Sequence, residues 1–326
     1  MDTRLQALAG AQGGTFSAAQ AYARGVTDAD LLTATRSGAV VRVRRGAFVS
    51  GPLWRASDDD ARFRLRVSAI ARSRPGDALS HHAALAVHGL PLWAHDPARI
   101  DLLTRTRRGS SRNGLHLHPA VGVDLVEVDG VRTVPVARAV VRAALTMGVE
   151  CAVVAGDAAL HSGQATPDEL RAEVALLSPH EGRSRALECV LLMDGRAESP
   201  GESRTRLVVH DLGLEHESQV ELRDGDGHFV ARVDLLVEGV VVEFDGRVKY
   251  RADGADPDGP DSAGQVVWLE KRREDGIRRL GHPVVRVVWS ELERPELIGS
   301  RIRAAKQLLP HRNTPAAAKL HALQHR

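Results

Sequence analysis

Two short apolar runs, Arg232-Val233-Asp234-Leu235-Leu236-Val237 and Val240-Val241-Val242-Glu243-Phe244-Asp245, are separated only by Glu238-Gly239. The pattern is strand, two-residue turn, strand. With Glu238-Gly239 as the loop, Val237 faces Val240, and counting outward sets Asp234 opposite Glu243. Like charges placed directly opposite each other are destabilising. Alternation puts Asp245 on the face of Glu243 and turns Val233, Leu235, Val242 and Phe244 to the other, core-facing side. Three carboxylates on one face of an apolar hairpin call for a compensating cation, and an oxygen-only donor set suits magnesium, manganese or calcium.

The N-terminal pattern has the helical period instead. Leu5, Leu8 and Ala9 form one stripe; Ser17 caps a second helix through Ala21 and Tyr22; Gly25 breaks it; Thr27 caps a third containing Leu31 and Leu32. Val40 to Val43 and Ala47 to Val49 then read as two strands joined by the basic turn Arg44-Arg45-Gly46. This is the layout of a winged helix-turn-helix. It would place residues 28–37 in a DNA major groove and Arg42, Arg44 and Arg45 on phosphates. Asp28 and Asp30 suit the helix dipole in the first turn of that helix but repel phosphate.

A mixed region follows. Asp58 to Ser73 and Ser80 to Gly89 read as helices, Arg99 to Thr104 and Gly114 to His118 as strands, and Val136 to Leu145, Glu150 to Ser162 and Pro167 to Leu177 as further helices. His81, His82 and His88 lack the glutamate of a zinc-protease spacing. His81 and His82 are adjacent on a helix and so diverge, which argues against a shared ion; His81, His82 and His88 are expected as capping or surface residues, and His116 and His118 share a solvated strand face.

With 326 residues the chain has room for two or three domains, and 43% hydrophobic with 26% charged residues is ordinary for a folded protein. The net charge of +2 hides basic runs at Arg42 to Arg45 and Arg105 to Arg112 and an acidic Gly/Pro-rich stretch over 253–261. Nucleic acid is thus an admissible partner. Cys151 and Cys189 sit in Ala- and Leu-rich helical segments without metal-ligand spacing and are expected as reduced core thiols. No apolar run approaches the roughly 20 residues of a membrane span, so no membrane partner and a cytoplasmic location are expected.

Around the hairpin lie further pieces. Pro200 to Leu207 starts a helix carrying Glu202 and Arg206, Lys249 follows Gly246, Trp268 to Gly281 is a charged helix containing Arg273, and Val284 to Trp289 is a buried strand. Residues from about 198 to 308 resemble the DUF559 domains, which are similar to the very-short-patch-repair endonucleases of the PD-(D/E)XK superfamily. The matching segments are Glu198 to Ser203, Val233-Asp234, Val242 to Gly246 with Lys249, Glu270 to Glu274, and Gly281 to Trp289. Residues 1 to about 190 resemble, more weakly, the AbiEi-type antitoxins of type IV toxin-antitoxin systems.

The first resemblance implies a Mg²⁺- or Mn²⁺-dependent endodeoxyribonuclease, with Asp234 and Glu243 as metal ligands and Glu202 as an added one. The superfamily's lysine position is Asp245 here, which leaves Lys249 as the relocated candidate. Arg206 or Arg273 would meet DNA phosphate. The alternative is an antitoxin-like regulator with a catalytically silent nuclease fold; a purely structural reading of the hairpin instead pairs Glu243 with Arg232 or with a basic residue of the following helix. The expected architecture is a multidomain α+β chain: a winged helix over 1–51, a mixed α/β domain over 52–196, a restriction-endonuclease-like α/β domain over 197–310 and a basic tail over 311–326. DNA and a cognate toxin are the partners it implies.

Overall fold

The computed structural model describes residues 2–120, 122–246 and 262–309. The chain divides into two compact units, Met1–Met193 and Asp194–Arg326. Among the described residues there are thirteen α-helices and three sheets, a mixed α+β composition.

The first unit opens with α1 (Thr3–Gly10), β1 (Thr15–Ser17), α2 (Ala18–Tyr22), α3 (Asp28–Arg36), β2 (Val40–Arg44) and β3 (Ala47–Ser50). Ser17 and Thr27 start α2 and α3 through complete capping boxes with Gln20 and Asp30. Strand β1 is absent from the sequence pattern because three residues are too few to show alternation. It pairs antiparallel with β3, and Phe16 stacks on Phe48 at 5.5 Å between ring centroids. The resulting sheet runs β1-β3-β2. Phe48 packs with Leu5, Leu8 and Leu31 on one side. Ala47 and Val49 turn the other way, into a core shared with Phe63 and Val67.

Those two residues belong to α5 (Asp59–Arg72), which follows α4 (Gly51–Ala56). Next come β4 (Ala78–Leu79), α6 (His81–Val87), β5 (Ile100–Thr104), β6 (Ser110–Arg112), β7 (Leu115–Pro119), β8 (Val126–Val128) and β9 (Val131–Thr133). They form one sheet in the order β6-β7-β5-β4-β9-β8, with β5 buried throughout. Helices α7 (Val136–Thr146), α8 (Val149–His161), α9 (Pro167–Ala175) and α10 (Arg183–Leu191) complete the unit. Cys151 and Cys189 are buried free thiols, and burial pushes Cys151 up to about 11.

The second unit contains α11 (Pro200–Asp211), β10 (His216–Arg223), β11 (Phe229–Val237), β12 (Val240–Asp245), α12 (Ser262–Arg279), β13 (Val284–Val288) and α13 (Pro295–Lys306). Its sheet runs β10-β11-β12-β13; the first three strands are antiparallel and β13 lies parallel to β12. Val209, Ile298 and Ile302 of α11 and α13 cover one face with Leu235, Val237 and Val242. Ile277 of α12 covers the other with Ala231, Val233 and Val241.

Glu238 (φ 48°) and Gly239 (φ 91°) form the two-residue turn, and Val237 pairs with Val240, Leu236 with Val241 and Leu235 with Val242. Val233 departs from its expected side: it packs with Ala231 and Val241, not with Leu235. Gln219, which lies between the pairs Ser218↔Leu235 and Val220↔Val233, has φ 53°. Gln219 belongs to β10, and its left-handed backbone marks the step in the ladder at which Val233 and Leu235 of β11 join different cores. Helix α11 sits against β12 at Gly201, where a Cβ would lie 2.0 Å from the Phe244 ring.

Candidate functional site

Helix α3 buries Leu31 and Ala34 and exposes Ala29, Leu32, Thr33 and Arg36. Leu32, 51% exposed, is the large apolar side chain on that face, between the polar Thr33 and Arg36 and the small Ala29. The two first-turn acids that threatened to repel phosphate have internal partners. Asp28 accepts the Tyr22 hydroxyl, while Asp30 accepts from Thr27 and lies 3.3 Å from Arg4. Those bonds from Thr27, more than the Arg4 charge, hold the Asp30 carboxyl below its ordinary range. In the hairpin after α3, Arg42 and Arg45 are exposed. Arg44 is half-buried and donates Nη1 to the Asn113 carbonyl at 2.9 Å. Thr33 and Arg36 were missed in the sequence, although the spacing of Leu31 and Ala34 already defines the opposite face as the exposed one.

In the second unit the hairpin ladder ends at Leu235↔Val242, and the Asp234 carboxylate accepts the Phe244 backbone N–H at 2.8 Å. Asp234 is pushed up to about 6, chiefly by burial and further by the charges of Glu202 and Glu243; the Phe244 bond and Arg273 oppose this. Glu243, 9% exposed, accepts from Arg273 Nη2 at 2.5 Å and neighbours Arg286 across the parallel ladder. Arg273, expected at phosphate, is thus engaged with Glu243. Glu202 accepts from Ser199 Oγ at 2.8 Å, Glu198 N at 3.0 Å and Gln219 Nε2 at 2.9 Å, so it closes the start of its own helix.

Arg206, also expected at phosphate, is only 5% exposed in α11. The helical period carries it to the sheet-facing side along with Val209. Asp245 ends β12 opposite Val288. Lys249 and the acidic stretch over 253–261 lie outside the described residues.

The histidines need a larger correction. His81 and His82 are 6% and 0% exposed, neither capping nor surface groups. His81 has φ 53°, so the regular divergence of adjacent helical residues does not apply and both rings turn inward. His118 Nε2 donates to Asp101 Oδ1 at 2.6 Å, and Arg99 holds the same carboxylate through two bonds of 2.8 Å. Donor atoms of His81, Asp101 and His118 lie within 4.8 Å of one another. Among the described residues only this group and the Asp224-Asp226-His228 turn have that compactness; Asp234, Glu243 and Glu202 do not. Burial holds His81 down to about 3 and His82 to about 4, so both are neutral near pH 7. The Arg99 guanidinium stands where a cation would neutralise Asp101, and the cluster reads as a buried structural network.

The stretch from α1 through β3 decides the functional comparison. Residues 4–51 match the family described as "Transcriptional regulator, AbiEi antitoxin". The antitoxin match therefore covers both capping boxes, α3 and the basic hairpin, and it leaves the rest of the chain unassigned. Two uncharacterized proteins of Mycobacterium tuberculosis, from strains CDC 1551 / Oshkosh and ATCC 25618 / H37Rv, are each 29% identical over 192 residues. The alignment spans 58% of this chain and 67% of theirs. No helix among the described residues is long and apolar enough to cross a membrane.

Proposed function

We propose that this chain is a DNA-binding transcriptional regulator of the antitoxin type, in which residues 1–51 act as a winged helix-turn-helix. The observation that carries this reading is α3 presenting Ala29, Leu32, Thr33 and Arg36 beside exposed Arg42 and Arg45, within the segment that matches the antitoxin family. In this reading α3 enters the major groove, Arg36 and Thr33 meet base edges, and the hairpin arginines meet phosphates. A toxin encoded by a neighbouring gene is the partner. Mobility-shift titration of the chain on its own upstream DNA should give a salt-dependent shift, weakened for any DNA by Arg42→Ala with Arg45→Ala. Arg36→Ala should relax preference among sequences. Absence of any shift at low salt would remove the reading.

A second reading concerns the C-terminal unit as a PD-(D/E)XK endonuclease-like domain. It is favoured by one observation: Asp234 sits with Glu202 and Glu243 close enough for their charges to raise it. A divalent cation would relieve that repulsion, and three carboxylates form a donor set suited to Mg²⁺ or Mn²⁺. Asp234 and Glu243 would hold the ion, with Glu202 beside them, once Arg273 leaves Glu243. The ion would supply an activated water and polarise a phosphoryl oxygen. This reading ranks second because Arg273 occupies Glu243 and Glu202 caps its own helix. Plasmid incubated with the chain and Mn²⁺ should be nicked, and Asp234→Asn and Glu243→Gln should abolish it; equal cleavage by all three sinks the nuclease reading.

A further inference from the structure

The bond from Arg44 to the Asn113 carbonyl joins the β2–β3 hairpin to a second one. Asn113 (φ 51°) and Gly114 (φ 76°) turn the chain between β6 and β7. Strand β6 is the outer strand of its sheet, and every residue from Arg105 to Arg112 is exposed. This ribbon carries Arg105, Arg107, Arg108 and Arg112, and no acidic residue occurs from Leu102 to Val123. Among the described residues none of these four arginines has an ion pair, whereas Arg74, Arg99, Arg138 and Arg142 of the same unit each do. Unpaired guanidinium groups crowded on one edge repel each other and gain most from a polyanion.

We propose that the Arg105–Arg112 ribbon is a second phosphate-contacting arm. It extends the contact of α3 and the β2–β3 hairpin along the backbone of duplex DNA, and it rests on the reading that the first unit binds DNA. Phosphate contacts carry no sequence information, so the arm adds affinity and footprint without selectivity. The link through Arg44 keeps the arm in register with the hairpin whose Arg42 and Arg45 face solvent.

The test is fluorescence anisotropy of the full chain on a labelled mixed-sequence duplex over a salt series from about 50 to about 200 mM. The variant Arg107→Gln/Arg108→Gln/Arg112→Gln should flatten log K against log salt by about 0.9 for each phosphate it no longer neutralises, which is about a 3.5-fold smaller fall in affinity per phosphate across that range. Arg107→Lys/Arg108→Lys/Arg112→Lys should keep the wild-type slope, and nuclease footprints of the Gln variant should shorten on one side. If the Gln variant binds like wild type while Arg42→Gln/Arg45→Gln is weakened, the arm is refuted and the regulator reading stands. An exposed edge strand also uses charge to block strand addition. If the Gln variant aggregates in gel filtration and its monomer keeps the wild-type slope, the arginines are edge protection and the proposal falls. If wild type shows no salt-dependent binding, the regulator reading fails and takes the arm with it.

Discussion

Arg273 Nη2 donates to Glu243 Oε1 at 2.5 Å and to the Arg232 carbonyl at 2.8 Å, so one guanidinium fastens α12 to two adjacent strands. Arg273→Leu should leave the buried Glu243 carboxylate uncompensated. Because the Arg273 side chain is 35% exposed, the loss should fall below that of a fully buried pair, about 1–3 kcal/mol by urea unfolding. Adding Glu243→Leu should recover much of it, since the desolvation cost disappears with the charge. A single variant as stable as wild type would show the interaction to be energetically idle.

Asp234 sets a pH dependence of unusual sign for a carboxylate. Its value rises from the ordinary 3.8 to about 6, so the folded state binds the proton more tightly than the unfolded chain does. The contribution is complete below about 3.8 and is lost as pH rises through about 6. Asp234→Asn keeps an oxygen for the Phe244 N–H and lacks the charge. It should match wild type near pH 4 and exceed it above about pH 7 by on the order of 2 kcal/mol, discounted for partial solvent access. Urea unfolding at both pH values is the check, and a constant difference between the two proteins would refute it.

Gly201→Ala tests how closely α11 lies on the sheet. The added methyl meets the Phe244 ring at 2.0 Å, and Phe244 is itself braced edge-on against Trp289 at 4.8 Å. Overpacking of this kind costs about 1–3 kcal/mol, readable as a lowered thermal midpoint of the second unit. Gly225→Ala, in open space, serves as the control and should change little.

In the first unit, Asp101→Asn removes the charge that Arg99 and His118 share. Burial works to raise this carboxyl, but the bonds from Arg99 and His118 outweigh burial and hold it below the ordinary range. The substitution should cost up to about 3 kcal/mol, the low end for breaking a buried pair, because Asp101 is fully buried while the Arg99 side chain keeps 20% exposure. The neighbouring histidines add an acid sensitivity: with His81 at about 3 and His82 at about 4, the unfolded chain takes up protons below about 6.5 that the folded unit refuses. Stability conferred above 6.5 is therefore lost as pH falls toward those values. Replacing His82 by Phe should flatten that limb, as followed by circular dichroism between neutral and acid pH.

How far the sequence could be read depends on whether the signal was local. The Glu238-Gly239 turn, the capping residues Ser17 and Thr27 and the long helices were legible, because backbone chemistry within a few residues determines them. Strands β1 and β4, three and two residues long, exist through partners far along the chain, whereas β6 and β8 are too short to show alternation although the turns Asn113-Gly114 and Asp129-Gly130 join them directly to β7 and β9. The inward turn of His81 and His82 was hidden for a related reason: one left-handed residue altered the geometry that adjacency implies. Of the hairpin carboxylates, the pattern indicated where charge would gather but not that Arg273, from a helix about thirty residues later, would meet Glu243.

Strand β13 reaches β12 only after α12, whereas β11 and β12 are joined by two residues. Closing the short loop costs little chain entropy and closing the long one costs more. The apolar hairpin can therefore organise early, while the neighbours that flank Glu243, Arg273 and Arg286, arrive with the late crossover. Folding of this unit would then end where its charges meet, so kinetic probes at Glu243 should report the last event and probes at Val237 an early one.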